Sequence, residues 1–278
     1  MFTLHNGDCL EYMKTLPAGS VDAVITDPPY CSGGYLEAQK NTKAQGLRGA
    51  TVAADDFEWF SADNMSTSGL VFLLRNMMVE CRRVLKPNRS VLMFTDWRMV
   101  PPLAPALESS GLRYRNMIIW DKGNAGLGVG FKPAYEVILE FTNGSTEYQE
   151  LNGQNLIRVP RVHASEKEHG AQKPIDLLSR LINITTAQGS KILDPFMGSG
   201  TTGVACMKFN REFIGCELDP KYYSIAEKRI REASLQLGLF TPSNNRLQPT
   251  AFGVDTQASF PLLGSTQADE SSATNGGG

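Results

Sequence analysis

The stretch VDAVITDPPYCSGG, residues 21–34, runs from an apolar segment straight into an acid, two prolines and a tyrosine. Proline fixes its own backbone and restricts the residue before it, so Asp27-Pro28-Pro29-Tyr30 could be only a stiff turn that stops a strand. Against that stand three chemical tools within four residues: a carboxylate, a rigidly held backbone carbonyl and an aromatic ring. They suit the exocyclic amino group of a nucleobase, a poor nucleophile because its lone pair is delocalised into the ring. If Asp27 and the Pro28 carbonyl accept the two N–H hydrogens, the nitrogen can pyramidalise and aim its lone pair at a methyl donor while Tyr30 stacks on the base. Positioning and electrostatic preorganisation then do most of the catalysis, with no nucleophilic cysteine and no metal required.

A second constellation lies late in the chain. ILDPFMGSGTTGVACMKFNREFIGCEL places Gly198, Gly200 and Gly203 in the spacing G-x-G-x-x-G, with Glu217 ending the next apolar run. Small residues after a strand let a ligand approach the backbone, and an acid ending the following strand can accept both hydroxyls of a ribose. Any adenosine-bearing cofactor could use such a loop, and a plain tight strand–helix turn is the bland alternative. The Lys-Ser/Thr pair of a phosphate-and-magnesium loop is missing after Gly203. Asp194, just ahead of the glycines, would repel a pyrophosphate but suit an ammonium and a sulfonium, which favours S-adenosylmethionine over a nicotinamide dinucleotide.

The elements that must position these residues alternate. VDAVIT (21–26), SVLMFT (90–95), KILDPF (191–196) and EFIGCEL (212–218) read as buried strands, and residues 67–85, 174–188 and 220–238 carry apolar residues at helical spacing, with Pro174 and Pro220 as first-turn residues. Such alternation predicts an α/β fold with a largely parallel sheet covered on both faces. Residues 31–66 interrupt it with a long polar, Gly-rich insertion, expected as a lid or DNA-contact loop. Residues 239–278, rich in Ser, Thr, Gly and Pro, read as a disordered tail after a catalytic domain over 1–238.

Composition excludes little. A formal charge of −2 and a pI near 6.0 argue against a polybasic coat, although a basic groove can hide in a neutral total. Five cysteines without close pairing read as buried free thiols of a reducing cytosol, and three scattered histidines give no zinc pattern. MFTLHNGDCL lacks a targeting pattern and no apolar run could cross a bilayer, so a cytoplasmic protein without a membrane partner is expected.

TDPPY together with DPFMGSGTT resembles the amino-methylating DNA methyltransferases, and the motif order, catalytic motif first, is similar to their beta group. HGAQKPIDLLSRLI (169–182), VLKPNRSVLMF (84–94) and IIWDKGNAGLGVGFKPAYEVILEF (118–141) resemble that group's His-x-x-Gln-Lys-Pro motif and central strands, so the likeness runs from about Leu4 to Arg231. It implies a circularly permuted Rossmann-like sheet in which the strands ending at Asp27 and Asp194 lie side by side. It implies Asp27, Pro28, Pro29 and Tyr30 as the catalytic site. Asp194, Phe196, Gly198, Ser199, Gly200 and Thr201 would surround the methionine part of S-adenosylmethionine, with Glu217 on the ribose. His169, Gln172, Lys173 and Pro174 would border the same pocket, and Asp8 would lie near the adenine, unless it serves only as a helix cap before CLEYMKTL. The target base cannot reach such a pocket from within a duplex, so base flipping is implied.

The segment between the central strands and the His-x-x-Gln-Lys-Pro motif, 143–168, is short for an independent recognition module. Recognition is therefore expected to be shared with 31–66 or to be loose, with Lys40, Lys43, Arg48, Arg158 and Arg161 as candidate phosphate or base contacts, and with Lys122 in a segment that the resemblance sets near the target base. Trp120 and Lys122 by themselves read as a core tryptophan beside a solvated lysine. An acid rather than serine opening the catalytic motif tilts the resemblance to adenine over the 4-amino group of cytosine. A nicotinamide-dependent oxidoreductase using the GSGTTG loop is the alternative from another class; a silent nucleic-acid-binding relative and an RNA or protein amide substrate are further readings. Relatives of this type are often dimers, and a cognate restriction endonuclease is a candidate cellular partner.

Overall fold

In the computed structural model, which describes residues 1–30, 66–124, 130–161 and 173–239, the chain runs β1 (Phe2–Asn6), α1 (Cys9–Thr15), β2 (Val21–Thr26), α2 (Thr67–Val84), β3 (Leu85–Thr95), α3 (Val100–Glu108), β4 (Arg113–Asp121), β5 (Tyr135–Asn143), β6 (Leu156–Arg158), α4 (Ile175–Thr185), β7 (Lys191–Asp194), α5 (Thr201–Lys208), β8 (Glu212–Glu217) and α6 (Pro220–Leu239). These residues belong to one compact unit, Met1–Thr241. Lys40, Lys43, Arg48, His169, Gln172 and the tail beyond Leu239 lie outside the described residues.

The eight strands form one sheet in the order β1-β8-β7-β2-β3-β5-β4-β6. Every neighbouring pair is parallel except β3–β5 and β5–β4, so among the described strands β5 alone runs against the rest. The expected adjacency holds: β2 pairs with β7, Val24 lying opposite Leu193. From this seam the chain winds outward both ways, to β3 on one side and to β8 and β1 on the other. That is a topological switch point, where open α/β sheets form a crevice at the carboxyl ends of their strands.

Strand alternation sorts the core into two layers. Val24, Val91 and Met93 pack with Met13 of α1, Leu74 and Met77 of α2 and Leu103 of α3. Ala23, Ile25, Leu92 and Phe94 face the other way, onto Leu178 of α4, Val204 of α5 and Ile230 of α6. Both faces of β2 are covered, which is why VDAVIT reads as continuous rather than alternating. The buried acid within it, Asp22, is answered at the far end of the sheet by Lys86 Nζ at 2.8 Å and the Lys191 amide at 2.9 Å.

Helix ends follow local chemistry. Ser66 accepts from the Gly69 amide at 3.1 Å and starts α2. α4 stops at Thr185, short of the expected 188, because Thr186 turns to extended backbone. The Thr185 and Thr186 hydroxyls bond back to the carbonyls of Leu181 and Ile182 at 2.7 and 2.6 Å. Pro174 is the N-cap of α4 rather than a first-turn residue, whereas Pro220 does open α6. No described helix is long and apolar enough to cross a membrane.

Candidate active site

β2 delivers Asp27 to the carboxyl edge of the sheet, and the rigid Pro28-Pro29 step returns Tyr30 onto it: the Tyr30 hydroxyl donates to Asp27 Oδ1 at 2.7 Å. Lys173, next to the cap of α4, ion-pairs with Asp27 Oδ2. Its ammonium also donates to the Tyr30 oxygen at 3.2 Å and lies 5.4 and 5.1 Å from the centroids of the Tyr30 and Phe94 rings. Lys173, expected beside the cofactor, is thus placed on the carboxylate of the Asp-Pro-Pro-Tyr turn.

Two further groups complete this cluster. Glu136, second residue of β5, accepts from the Tyr30 hydroxyl at 3.2 Å through Oε2, which also lies 3.4 Å from Lys173 Nζ; its Oε1 accepts from Lys122 Nζ at 3.2 Å. The chain of charges is therefore Lys122–Glu136–Lys173–Asp27, with the phenol touching three of its members. Burial alone would raise the Glu136 carboxyl, but the ammonium groups of Lys173 and Lys122 outweigh it and hold the group below its ordinary range. For Lys173 burial pulls down, and Asp27 and Glu136 win by pulling up, so it stays charged. Burial first, then the two carboxylates, push the Tyr30 phenol well up, which keeps it a donor.

Lys122 is not the solvated lysine that the sequence suggested. Its side chain is 12% exposed, tied to Glu136 and 5.8 Å from the Trp120 ring centroid, because the reversed strand β5 sets a carboxylate directly beside it. Trp120 is a core residue, 3% exposed, its indole N–H donating to the Val159 carbonyl at 2.8 Å.

Across the β2–β7 seam stands Asp194, 2% exposed. Thr26 Oγ1 donates to Asp194 Oδ1 at 2.7 Å, and the Phe196 amide donates to the same oxygen at 3.1 Å. Asp194, expected near the methionine part of the cofactor, is a buried strut that joins the two strand ends and shapes the turn behind it. Burial pushes its carboxyl up to about 7, against the lowering pull of the Thr26 and Thr202 hydroxyls and the Phe196 amide.

The three glycines divide their work. Gly198 has φ +52°, and a Cβ there would meet nothing within 4 Å. Its amide donates to Glu217 Oε2 at 2.9 Å, while Glu217 Oε1 takes the Asp219 amide at 2.9 Å. Gly200 (φ +79°) and Gly203 instead face α6: a Cβ at Gly200 would lie 2.9 Å from the Ala226 Cβ, and one at Gly203 would lie 2.8 Å from Phe213 and strike Ile230. Ser199 and Thr201 turn inward as well. Arg229, on α6, donates to the Ser199 carbonyl and hydroxyl at 2.6 and 3.0 Å and to Thr201 Oγ1 at 3.4 Å, clasping the loop from behind.

Asp8 caps α1, Oδ1 accepting from the Leu10 and Glu11 amides at 2.8 and 3.0 Å. Arg158 ends the edge strand β6 with its side chain 76% exposed and its Nε 2.8 Å from Asp121 Oδ2; Arg161 is exposed nearby in sequence. A cavity of about 570 Å³ opens elsewhere, with Glu140, Tyr148 and Asn155 in its wall, and no residue of the strand-end cluster lines it.

An α/β sheet with its crevice at one switch point defines a fold class, and solved structures share that fold. The M1.HpyAVI–SAM complex is 25% identical, covers 83% of this chain and 99% of its own, and superposes with a TM-score of 0.61. The cytosine-N4-specific PvuII DNA methyltransferase, 16% identical, shares the fold over 85% of this chain and 92% of its own, TM-score 0.63. Type II methyltransferase M.HinfI of Haemophilus influenzae is 29% identical over 253 residues, 83% of this chain and 68% of that protein. The sequence pattern of the N6/N4 DNA methylase family matches residues 21–228, and the chain belongs to that family.

Proposed function

We propose that the protein transfers a methyl group from S-adenosylmethionine to the exocyclic amino group of adenine in DNA, after the base has been flipped from the duplex. The observation that carries this reading is the β2–β7 seam: two parallel neighbours bring the Asp-Pro-Pro-Tyr turn and the glycine loop to one crevice, bonded to each other through Thr26 and Asp194. The family match spans both motifs, which leaves the nicotinamide reading of the GSGTTG loop without support.

The residues fit the cofactor. Open space lies in front of Gly198, and Glu217 borders it at the end of β8, held at the loop by the Gly198 amide with lone pairs left for ribose hydroxyls. When bound, S-adenosylmethionine supplies a methyl carbon activated by a sulfonium. Asp27 and the Pro28 carbonyl accept the amino hydrogens and turn the nitrogen lone pair toward that carbon, and Tyr30 takes the face of the base. Asp27, bonded to that amino group, can also take the proton that the methylated nitrogen must lose. Lys173, itself charged, ion-pairs with Asp27 and holds its carboxylate in place. By the same likeness a cognate endonuclease and a homodimer are the expected partners.

Expression in a host free of DNA methylation, followed by digestion of its DNA to nucleosides and mass spectrometry, tests the reading. N6-methyladenine is expected, and Asp27→Ala should abolish it. 4-Methylcytosine in its place would assign the other amino group that the family uses, while unmodified DNA beside a folded, cofactor-binding protein would overturn the proposal.

A further inference from the structure

Glu136 has no part in the reading above, yet it holds the centre of the cluster. It comes from the start of β5, the one strand that enters the carboxyl edge of the sheet from the opposite direction. Among the described residues the Tyr30 hydroxyl and the Lys173 ammonium are the donors on Asp27, and both lie within reach of Glu136 Oε2, at 3.2 and 3.4 Å. Each donor therefore sits between two carboxylates and nearer to Asp27.

An amino group entering at Asp27 competes with donors already there: Oδ1 accepts from the phenol and Oδ2 from the ammonium, which leaves the newcomer only the remaining lone pairs and crowds it against both. In a part-buried site, donors displaced from Asp27 need another acceptor, since a buried charge or hydroxyl left unpaired costs several kcal/mol. We propose that Glu136 is a positioning residue that receives the Tyr30 hydroxyl and the Lys173 ammonium as Asp27 is handed to the target amino group. Lys122 fixes Oε1, so the receiving oxygen stays in place, and the move needs only a small rotation of each donor. The cluster stays electrically balanced throughout, with two ammonium groups and two carboxylates before and after. This inference rests on Asp27 as the acceptor of the amino group.

The test compares wild type, Asp27→Ala, Glu136→Gln and Glu136→Asp by single-turnover methylation of DNA, with cofactor affinity, the KM for DNA and melting temperature measured alongside. Glu136→Gln should slow the methyl-transfer step about 30-fold while cofactor affinity and the DNA KM stay within about twofold, because the handover matters only as the amino group is engaged. Glu136→Asp, which keeps the charge, should recover about tenfold of that loss. A Glu136→Gln rate within about threefold of wild type, beside an inactive Asp27→Ala, would overturn this inference alone. So would a loss spread equally over cofactor affinity and melting temperature that Glu136→Asp fails to relieve. A wild type that binds cofactor but methylates no DNA would overturn the underlying reading and this inference with it.

Discussion

A carboxyl buried between two strand ends binds its proton more tightly folded than unfolded, and Asp194 is such a group. Unfolded, it ionises near ~4; in the fold, burial moves it to about 7. Between those values the native state holds the extra proton, so the Asp194 contribution to stability is full at low pH, falls as pH rises through that window and is lost above the folded value. One proton of difference bounds the slope at about 1.4 kcal/mol per pH unit. Asp194→Asn keeps an oxygen for the Thr26 hydroxyl and the Phe196 amide but removes the titration. Melting temperatures across pH 4.5 to 8 should therefore fall less with rising pH in the variant than in wild type; parallel profiles would show that Asp194 titrates normally. The same residue shows what a one-dimensional reading can reach. Its position ahead of the glycines was legible because a motif is local. Its burial under Thr26 was not, since that bond joins residues 168 positions apart. Arg229 and Glu136 stayed hidden for the same reason, although Glu136 left a trace: in YEVILEF it occupies the same face as Ile138, an acid where an apolar residue should be.

Among the elements, the strand–turn–helix unit β7–α5 divides its glycines between ligand and packing. Gly203→Ala would push a methyl into Ile230 and Phe213, wedging α5 from α6 and β8, and overpacking of this kind costs about 1–3 kcal/mol. Gly198→Ala meets no atom, but it forces a side chain onto a left-handed backbone, for about 1 kcal/mol, and fills the space before the strand end. Chemical denaturation and cofactor titration should separate them: Gly203→Ala loses mainly stability, Gly198→Ala loses more cofactor affinity than its stability loss explains. Equal ratios of the two effects would contradict the division. Element placement was read well where burial is two-sided, as in β2 and β7, because a continuous apolar run between turn residues has few other meanings. β1, α3 and β6 were not read as elements: β6 is three residues long, and α3 carries Pro105 inside it, which argues locally against a helix. The reversal of β5 leaves no mark in its composition at all.

For the whole molecule, a net charge of −2 means that DNA cannot be gathered by a general positive field, so on the proposed function its attraction would have to be local, and the carboxyl edge that carries the candidate site is the place to test. That edge pairs much of its positive charge internally. Arg98 holds Asp96 through two bonds of 2.9 and 3.1 Å, and Arg158 holds Asp121 at 2.8 Å. The Gly123 amide first, then Arg158, lower the Asp121 carboxyl, so it is anionic at neutral pH. If, as proposed, Arg158 and Arg161 contact DNA phosphates, a duplex approaching β6 would meet a guanidinium that masks a carboxylate. Removing Arg158 would then take away one contact and also uncover Asp121, whereas removing Arg161 would uncover no acid among the described residues. We expect Arg158→Ala to weaken DNA binding more than Arg161→Ala, each by several-fold, with the salt dependence of log K falling by about one phosphate's worth, ~0.9, per arginine. Asp121→Asn added to Arg158→Ala should recover part of the affinity, because it removes repulsion without supplying a cation. Fluorescence anisotropy of a labelled duplex at several salt concentrations reads all of these. If Asp121→Asn restores nothing, Arg158 acts on DNA only through its own contact and the masking argument fails.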